Sequence, residues 1–194
     1  MSNPITNVTV RASTDADVPA MLAIYHFHVS AGIGDLGNYV AEPLEAEDMG
    51  RRRKNMRKHR LHHLVAEVEG IVAGYAYAVP FRKRPAYRYA VKHSIYVHPD
   101  HLHSGVGRRL LPALIDACAA AGFRQMIAYI EAANEPSKRL HEAFGFEHAG
   151  LLKGVGFKYG RWTDSILMQR ALGAGDAASP GAGDGTPIPQ DYGL

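Results

Sequence analysis

Apolar and polar residues follow two distinct patterns along this chain, one typical of strands and one typical of helices. Runs of β-branched and aromatic residues predict strands at 8–11, 64–68, 71–79, 89–97, 126–131, 151–157 and 162–169. Helical spacing predicts one helix after Thr14 and Asp15, a second after Pro43, and two more at 106–121 and 136–144. The resulting order, β-α-α-β-β-β-α-β-α-β-β, predicts a mixed α/β (α+β) fold around one partly antiparallel sheet.

A change in composition near residue 173 marks the end of the predicted domain. Strand and helix patterns continue up to residue 172, whereas 173–194 are mostly Gly, Ala, Pro and Asp, with little apolar surface to bury. We therefore expect a single domain over 1–172 and a disordered tail over 173–194.

Composition argues against several functional classes. The 46% share of hydrophobic residues is ordinary for a globular core, and no apolar run approaches the ~18 residues of a membrane span. The N-terminus lacks the basic-then-apolar pattern of an export signal, and Cys118, the single cysteine, has no partner for an internal disulfide. We expect a cytoplasmic protein with no membrane partner and a buried, unreactive thiol.

Much of the positive charge is concentrated in one basic run at 51–60, although the net charge is only +3. Such a run can bind nucleic acid, but it contains none of the aromatic residues on which single-stranded bases stack. We interpret the run as a solvated helix face and expect no nucleic-acid partner.

A glycine loop between a strand and a helix is the strongest sign of chemistry. The strand ending at Val97 leads into a loop containing Gly105 and Gly107, and the helix pattern begins at once. A glycine turn that opens a helix presents free backbone N–H groups at the positive end of the helix, which suits a phosphate. The sequence therefore predicts a phosphorylated ligand at this loop.

Two blocks of sequence then indicate a family. The segment 93–111 resembles the acyl-CoA-binding motif of the GNAT superfamily of N-acetyltransferases, and 134–146 is similar to that family's Asn-x-x-Ser-x-x-Leu-Tyr/His-x-x-x-Gly-Phe block. Segments 65–78, 81–87 and 156–164 resemble the phosphinothricin/methionine-sulfone acetyltransferase branch. The resemblance implies a GNAT-type acyl-CoA N-acyltransferase fold, with six to seven strands and about four helices. It also implies acetyl-CoA as co-substrate and a homodimer.

The resemblance also assigns roles to individual residues. His141 stands where many relatives carry a Tyr that protonates the leaving thiolate, and Lys92 stands at the position of the branch's general base. The residues implied to bind the cofactor are Ile95, Tyr96, Val97, His103, Ser104, Gly105, Val106, Gly107, Arg108, Asn134 and Ser137. Those implied to bind the substrate are Tyr39, Arg84 and Tyr87.

Three positions depart from the family pattern, and one of them is His103, which stands where this branch often has Gly. Leu102 replaces the Gln or Arg at the start of the phosphate loop, which removes one polar contact to the pyrophosphate. Lys92 replaces the Glu of the branch's Thr-Val-Glu-x-Ser/Thr motif, and a lysine is a poor base unless burial lowers its pKa. His93 points to the opposite face of its strand. The base therefore stays open between Lys92, His93 and a water chain to Glu42 or Glu131, and Lys92 can instead bind a substrate carboxylate.

The motifs together favour acetyl transfer to the amine of a small amino acid or analogue, of the phosphinothricin or methionine sulfone/sulfoximine type. Direct transfer in a ternary complex is expected, because no cysteine is placed to carry the acetyl group. The alternatives are acetylation of a protein N-terminus or another amine, and a catalytically weakened acyl-CoA-binding regulatory module. His98, His101 and His103 invite a metal site, but no cysteine supports that spacing, so we predict no metal.

Overall fold

The computed structural model describes residues 7–30, 45–59, 61–158 and 160–180. Its strands form one seven-stranded sheet in the order β1-β2-β3-β4-β5-β7-β6. The strands are β1 (Val8–Ala12), β2 (His63–Val68), β3 (Ile71–Pro80), β4 (Ala90–Val97), β5 (Gln125–Glu131), β6 (Glu147–Lys158) and β7 (Arg161–Ala171). The helices are α1 (Val18–Ser30), α2 (Ala46–Lys58), α3 (Val106–Ala120) and α4 (Glu135–Ala143). The predicted fold class and the predicted order of elements are confirmed.

Strand pairing in the sheet changes direction at one place. β4 and β5 are parallel, with α3 as the crossover between them, while all other neighbouring strands are antiparallel. The parallel register begins at Ala90 opposite Gln125 and ends at His93 opposite Ala128. Beyond these residues β4 continues to Val97 and β5 continues to Glu131, but the two strands no longer pair with each other. The two strands therefore part and leave a gap in the middle of the sheet.

The two faces of the sheet are buried against different helices. In the larger core, α3 packs on one face of the sheet. The fully buried side chains there include Val91, Leu110, Leu114 and Met126. The smaller core packs α1 on the opposite face, where Tyr75, Tyr96 and Tyr25 meet. Residues of β4 alternate between the faces as strand geometry requires, so Lys92 and His93 lie on opposite sides.

The basic residues of α2 are exposed except for Arg53. The basic run lies on α2, where Arg51, Arg52 and Lys54 are exposed, as a solvated face requires. Arg53 is the exception, since its side chain is 4% exposed and binds Asp15 and the carbonyl oxygen of Ser13. Within the described part of the chain, no helix is long and apolar enough to cross a membrane.

Several element boundaries differ from the sequence prediction. α2 begins at Ala46 after the N-cap Glu45, while Pro43 lies outside the described residues. β6 starts at Glu147, four residues before the predicted 151, because its N-terminal half pairs with β7 despite Gly150. Residues 173–180 form turns after the last strand. The division between a domain over 1–172 and a tail over 173–194 stays a prediction.

Candidate active site

The gap between β4 and β5 opens into a cavity of about 340 Å³. Its walls are the separated strand ends, the loop before α3, and the first turns of α3 and α4. In an antiparallel pair, alternate backbone groups point away from the neighbouring strand. Because β4 pairs with β3 through Val97, the remaining N–H and C=O groups of 94–97 point into the gap. The cavity therefore has a backbone edge along one wall.

Most of the residues predicted to bind the cofactor lie around this cavity. Those that line it are Ile95, Tyr96, Val97, His103, Gly105, Val106, Gly107, Asn134 and Ser137. Ser104 and Arg108 do not line it as the described residues form it. The Ser104 hydroxyl instead donates to the carbonyl oxygen of His101, and the Arg108 guanidinium stacks over the Phe144 ring. These two side chains therefore support the loop and the helix, and the Ser104 backbone N–H also donates to the His101 carbonyl oxygen.

The loop before α3 has the backbone geometry of an anion site. Gly105, the N-cap of α3, has φ 94°, and His103 has φ 61°. The left-handed conformation is accessible to glycine at no steric cost, so Gly105 is suited to this turn. A Cβ on Gly107 would lie 3.1 Å from Leu140 of α4, which shows how closely the two helix starts approach. The first N–H groups of α3 therefore point toward the cavity mouth without an intrahelical partner.

The start of α4 is fixed by Asn134. The side-chain oxygen of Asn134 accepts a hydrogen bond from the Ser137 backbone N–H at 3.2 Å, which caps the helix. Only the NH₂ group of Asn134 is then left to serve a ligand. One turn later His141, 2% exposed, lies against the cavity wall beside Ser137.

His141 is one of two imidazoles that form a hydrogen-bonded chain through the core. Nε2 of His141 lies 2.9 Å from Nε2 of His93, and Nδ1 of His141 lies 2.7 Å from the Ser137 carbonyl oxygen. Nδ1 of His93 lies 3.3 Å from the Ile127 carbonyl oxygen. Phe146 packs against both rings. Burial lowers the pKa of His93 to about 3, helped by the nearby His141, and burial also lowers the pKa of His141.

The residues predicted to handle the substrate are not gathered at the cavity. Lys92 is exposed on the opposite face of β4 from His93, beside Ser94, which does line the cavity. Arg84 and Tyr87 are exposed on the 81–89 loop, and it is Arg82 that stacks over the Tyr87 ring. Tyr39 lies outside the described residues.

The cavity residues that the sequence did not predict include His28 and Tyr129, whereas Glu131 was considered only as a possible base. His28, at the end of α1, donates from Nε2 to the Val97 carbonyl oxygen at 2.7 Å and so holds the end of β4. Glu131, mentioned only as a possible base, faces Lys158 of β6 at 3.9 Å, and both side chains are largely buried. Tyr129 lies on the β5 side of the gap. These placements depend on long-range packing, and no local motif identifies them.

The predicted absence of a metal is not tested by this structure. Among residues 7–30, 45–59, 61–158 and 160–180, no group of three or more His, Cys, Asp or Glu side chains is arranged to hold a metal ion. His98 instead caps the turn at 99–101, where its Nδ1 accepts from the Asp100 backbone N–H.

Comparisons with known proteins identify the family to which the chain is similar. The model of the acetyltransferase (GNAT) family matches residues 23–146. A phosphinothricin N-acetyltransferase from Alcaligenes faecalis is 44% identical over 173 residues, which cover 89% of this chain and 86% of the relative. An L-methionine sulfoximine/L-methionine sulfone acetyltransferase from Pseudomonas aeruginosa is 35% identical over 171 residues, covering 86% of this chain and 95% of the relative.

A solved structure extends the similarity to the whole fold. The GNAT superfamily phosphinothricin acetyltransferase from Sinorhizobium meliloti, solved in complex with AcCoA, superposes with a TM-score of 0.85 at 40% identity. The alignment covers 95% of this chain and 97% of that one. With a family match over most of the domain and full-length relatives above 30% identity, this chain belongs to the GNAT family of acetyltransferases.

Proposed function

We propose that this protein is an acetyl-CoA-dependent N-acetyltransferase that acetylates the amine of a small amino acid or amino-acid analogue. The observation that carries the proposal is the cavity between the separated ends of β4 and β5, which reaches the N-terminus of α3. The cavity joins the edge of β4 that β5 does not pair with to the start of α3, whose N–H groups suit an anion. Acetyl-CoA matches this arrangement, because its arm carries amide groups and ends in a pyrophosphate. Relatives named for phosphinothricin and methionine sulfoximine acetylation support the substrate class.

The backbone provides most of the proposed cofactor contacts. Backbone N–H groups of residues 103–108, other than that of Ser104, which donates to the His101 carbonyl oxygen, cradle the pyrophosphate and compensate for the apolar Leu102 in this loop. Strand residues 95–97 pair with the amide groups of the pantetheine arm, and one of their N–H groups binds the carbonyl oxygen that gains charge during transfer. The NH₂ group of Asn134 holds the arm from the other side of the gap.

Direct transfer to the amine fits the placement of the only cysteine. Cys118 is fully buried in α3, and burial raises the pKa of its thiol to about 12, so it does not carry an acetyl group. The attacking amine therefore meets the thioester within a ternary complex. His141 and Ser137, on the cavity wall, are placed to return a proton to the leaving sulfur.

Positive charge on the open side of the gap suits a substrate with a carboxylate. Lys92 is exposed next to Ser94, and the exposed loop at 81–89 carries Arg84 and Tyr87. We assign Lys92 to the substrate carboxylate, in place of a role as base. An acidic amino-acid analogue would be attracted to this side, whereas a polyamine would be repelled.

A second copy of the chain is the partner we propose for the exposed apolar patch on β6 and β7. The patch is centred on Phe157 and Trp162, whose ring centroids lie 5.1 Å apart. The exposed apolar residues of these two strands, between 39% and 70% exposed, are Leu151, Leu152, Val155, Phe157 and Trp162. An apolar patch of this kind on a folded domain is typical of an interaction surface. A homodimer joined at this patch and located in the cytoplasm completes the proposal.

A thiol-release assay with acetyl-CoA tests the function. The amine panel is methionine sulfone, methionine sulfoximine, phosphinothricin, spermidine and a short peptide, with acetyl-CoA binding followed in parallel by thermal shift. We expect turnover confined to the first three amines. Turnover of the peptide alone would indicate protein N-terminal acetylation. Bound acetyl-CoA without turnover of any amine would favour the acyl-CoA-binding module and overturn the proposal.

A further inference from the structure

His93 and His141 form a line of hydrogen-bonding groups that begins and ends at a backbone carbonyl. The order is Ile127 oxygen, His93 Nδ1, His93 Nε2, His141 Nε2, His141 Nδ1 and Ser137 oxygen, with separations of 3.3, 2.9 and 2.7 Å between successive partners. Both rings are buried, at 7% and 2% exposure. Carbonyl oxygens only accept, so the outer nitrogens must both donate to satisfy them.

The number of protons does not match the number of contacts. Three contacts need three N–H protons, whereas two neutral imidazoles carry only two. Any neutral arrangement therefore leaves one contact between two acceptors, either at a carbonyl or between the two Nε2 atoms. One additional proton fills all three contacts and gives the pair a single positive charge. Burial opposes that charge, so the resting pair is neutral and can take up one further proton that completes its hydrogen bonds.

We propose that His93 is a positioning residue for His141, and that the two rings hold one exchangeable proton between them during acetyl transfer. The reaction role rests on the proposed function, whereas the shared proton rests on the geometry of the pair alone. His93 orients the His141 ring through the Nε2–Nε2 contact, and the Nδ1–H of His93 keeps donating to the Ile127 oxygen while His141 exchanges a proton at the cavity.

The route to the cavity passes through Ser137, whose hydroxyl oxygen lies 3.4 Å from His141 Nδ1. Before transfer, the one proton of His141 is on Nε2 and is donated to His93 Nε2, so that His141 Nδ1 is unprotonated. In the accepting direction, the Ser137 hydroxyl takes the proton that leaves the amine nitrogen as its C–N bond forms, and the hydroxyl's own proton moves to His141 Nδ1. In the donating direction, the hydroxyl gives its proton to the sulfur as the C–S bond breaks, and His141 Nδ1 returns one to the hydroxyl. The pair gains one proton and loses one, so it ends each turnover neutral.

The pKa values of His93 and His141 depend on their immediate surroundings and on the charged groups of the elements packed against them. These pKa values are set by burial, by the other ring and by the two carbonyl oxygens. The other titratable or charged side chains on the packed elements are Lys92 and Tyr96 on β4, Tyr129 and Glu131 on β5, and Glu135, Lys138, Arg139 and Glu142 on α4. Glu131 faces Lys158, and Lys138 pairs with Glu135 within α4.

Histidine ¹⁵N spectra of the ligand-free protein, recorded from about pH 3 to about pH 8, test the shared proton without requiring activity. We expect the His93 and His141 signals to change together in one step, and His141 to titrate alone in the His93→Gln variant. Two well-separated steps in the wild type, one for each ring, would overturn the shared proton.

Steady-state kinetics test the positioning role through three variants. His93→Gln keeps an N–H donor toward His141 but holds no exchangeable proton, and His93→Leu removes both. We expect kcat to fall about tenfold in the first and about 100-fold in the second, with the acetyl-CoA KM within about twofold and the pH profile displaced. Val91→Ala, two residues away on the same face of β4, is the matched packing control and should lower stability without moving the pH profile.

The outcomes separate this inference from the proposed function. If His93→Gln matches Val91→Ala in kcat and pH profile, His93 is a packing residue and the positioning role is wrong. If the wild type fails to acetylate any amine, the proposed function and the reaction role both fail, while the ¹⁵N titration still decides whether the rings share a proton. A poorly folded His93→Leu changes neither conclusion, because His93→Gln and the spectra carry the test.

Discussion

Lys92 is a cation at the position where the resembled branch of acetyltransferases carries the acidic Glu of its motif. It is exposed on the open face of β4, with no contact to the His93–His141 pair on the other face. If it binds the substrate carboxylate, Lys92→Gln removes a charge-assisted hydrogen bond. We expect the KM for methionine sulfone to rise about tenfold with kcat changed by less than about threefold.

Lys54→Gln is the control for Lys92, because it removes an exposed lysine from α2 on a different part of the surface. Initial-rate measurements at varied methionine sulfone compare the two variants. A large fall in kcat at unchanged KM in Lys92→Gln would place Lys92 in the chemistry of transfer and contradict the carboxylate role.

A second residue-scale prediction concerns stability and pH. His63 stacks between Tyr75 and Tyr77, and burial, aided by Arg53, lowers its pKa to about 4. The unfolded chain binds a proton at this ring below about pH 6.5, before the folded chain does. The free energy of unfolding therefore contains a contribution from His63 that is fully present above about pH 6.5. This contribution is lost as the pH falls toward about 4, and it amounts to about 3 kcal/mol.

His63→Phe keeps the stacking and removes the titration, and Nδ1 of His63 makes no hydrogen bond within the described residues that would be lost. Urea unfolding at about pH 7.5 and about pH 4.5 should show a smaller loss of stability on acidification in this variant. His93 and His141 still contribute, so the loss should not disappear. The exposed His148→Gln is the control, and an equal loss of stability in wild type and His63→Phe would refute the assignment.

At this scale the sequence predicts the residues whose roles come from local backbone geometry. Gly105, Gly107 and Asn134 belong to short motifs, and each occupies the kind of position its motif predicts. His28 and Glu131 reach the cavity from elements far away in the chain. Their positions depend on how α1 and β5 pack, which no local pattern contains.

Among the elements, α3 and its glycine turn connect the fold to the cofactor. Gly105 has φ 94°, a conformation that costs other residues about 1–2 kcal/mol. Gly105→Ala is therefore expected to lower stability by that amount and to weaken acetyl-CoA binding, because the first N–H groups of α3 are displaced. Chemical denaturation and calorimetric titration with acetyl-CoA measure the two effects.

Gly50 provides a matched glycine control. It lies inside α2, and a Cβ added there would meet nothing within 4 Å. Gly50→Ala should stabilise the protein by up to about 1 kcal/mol and leave acetyl-CoA binding unchanged. Equal acetyl-CoA affinity in the Gly105→Ala variant and the wild type would show that this turn does not form the phosphate site.

Element types and order are predictable here because the apolar periodicity is strong, whereas some boundaries are not. β6 carries Gly150, Gly154 and Gly156, which interrupt the strand pattern, yet its pairing with β7 extends the strand to twelve residues. Similarly, the parting of β4 from β5 cannot be read from either strand alone. β4 stays paired with β3 up to Val97, and β5 stays paired with β7 up to Glu131, although the two strands no longer pair with each other.

For the whole molecule, the patch on β6 and β7 predicts assembly. Trp162 is 70% exposed and meets the Phe157 ring across the strand pair. Trp162→Asp should therefore convert a dimer of the 21.1 kDa chain into a monomer. Ile71→Asp, at an equally exposed residue of the β2–β3 turn, should leave the dimer intact. Light scattering after size-exclusion chromatography gives the mass, and a monomeric wild type would contradict the prediction.

The central claim, that the cavity brings acetyl-CoA and an amine together for direct transfer, is tested most directly by initial velocities. Acetyl-CoA and methionine sulfone are varied together, and the acetylated product is verified by mass. The account predicts intersecting lines in double-reciprocal plots, as a ternary complex requires. Parallel lines would indicate an acetylated enzyme intermediate, and the absence of acetylated product would indicate a binding module; either result would contradict the account.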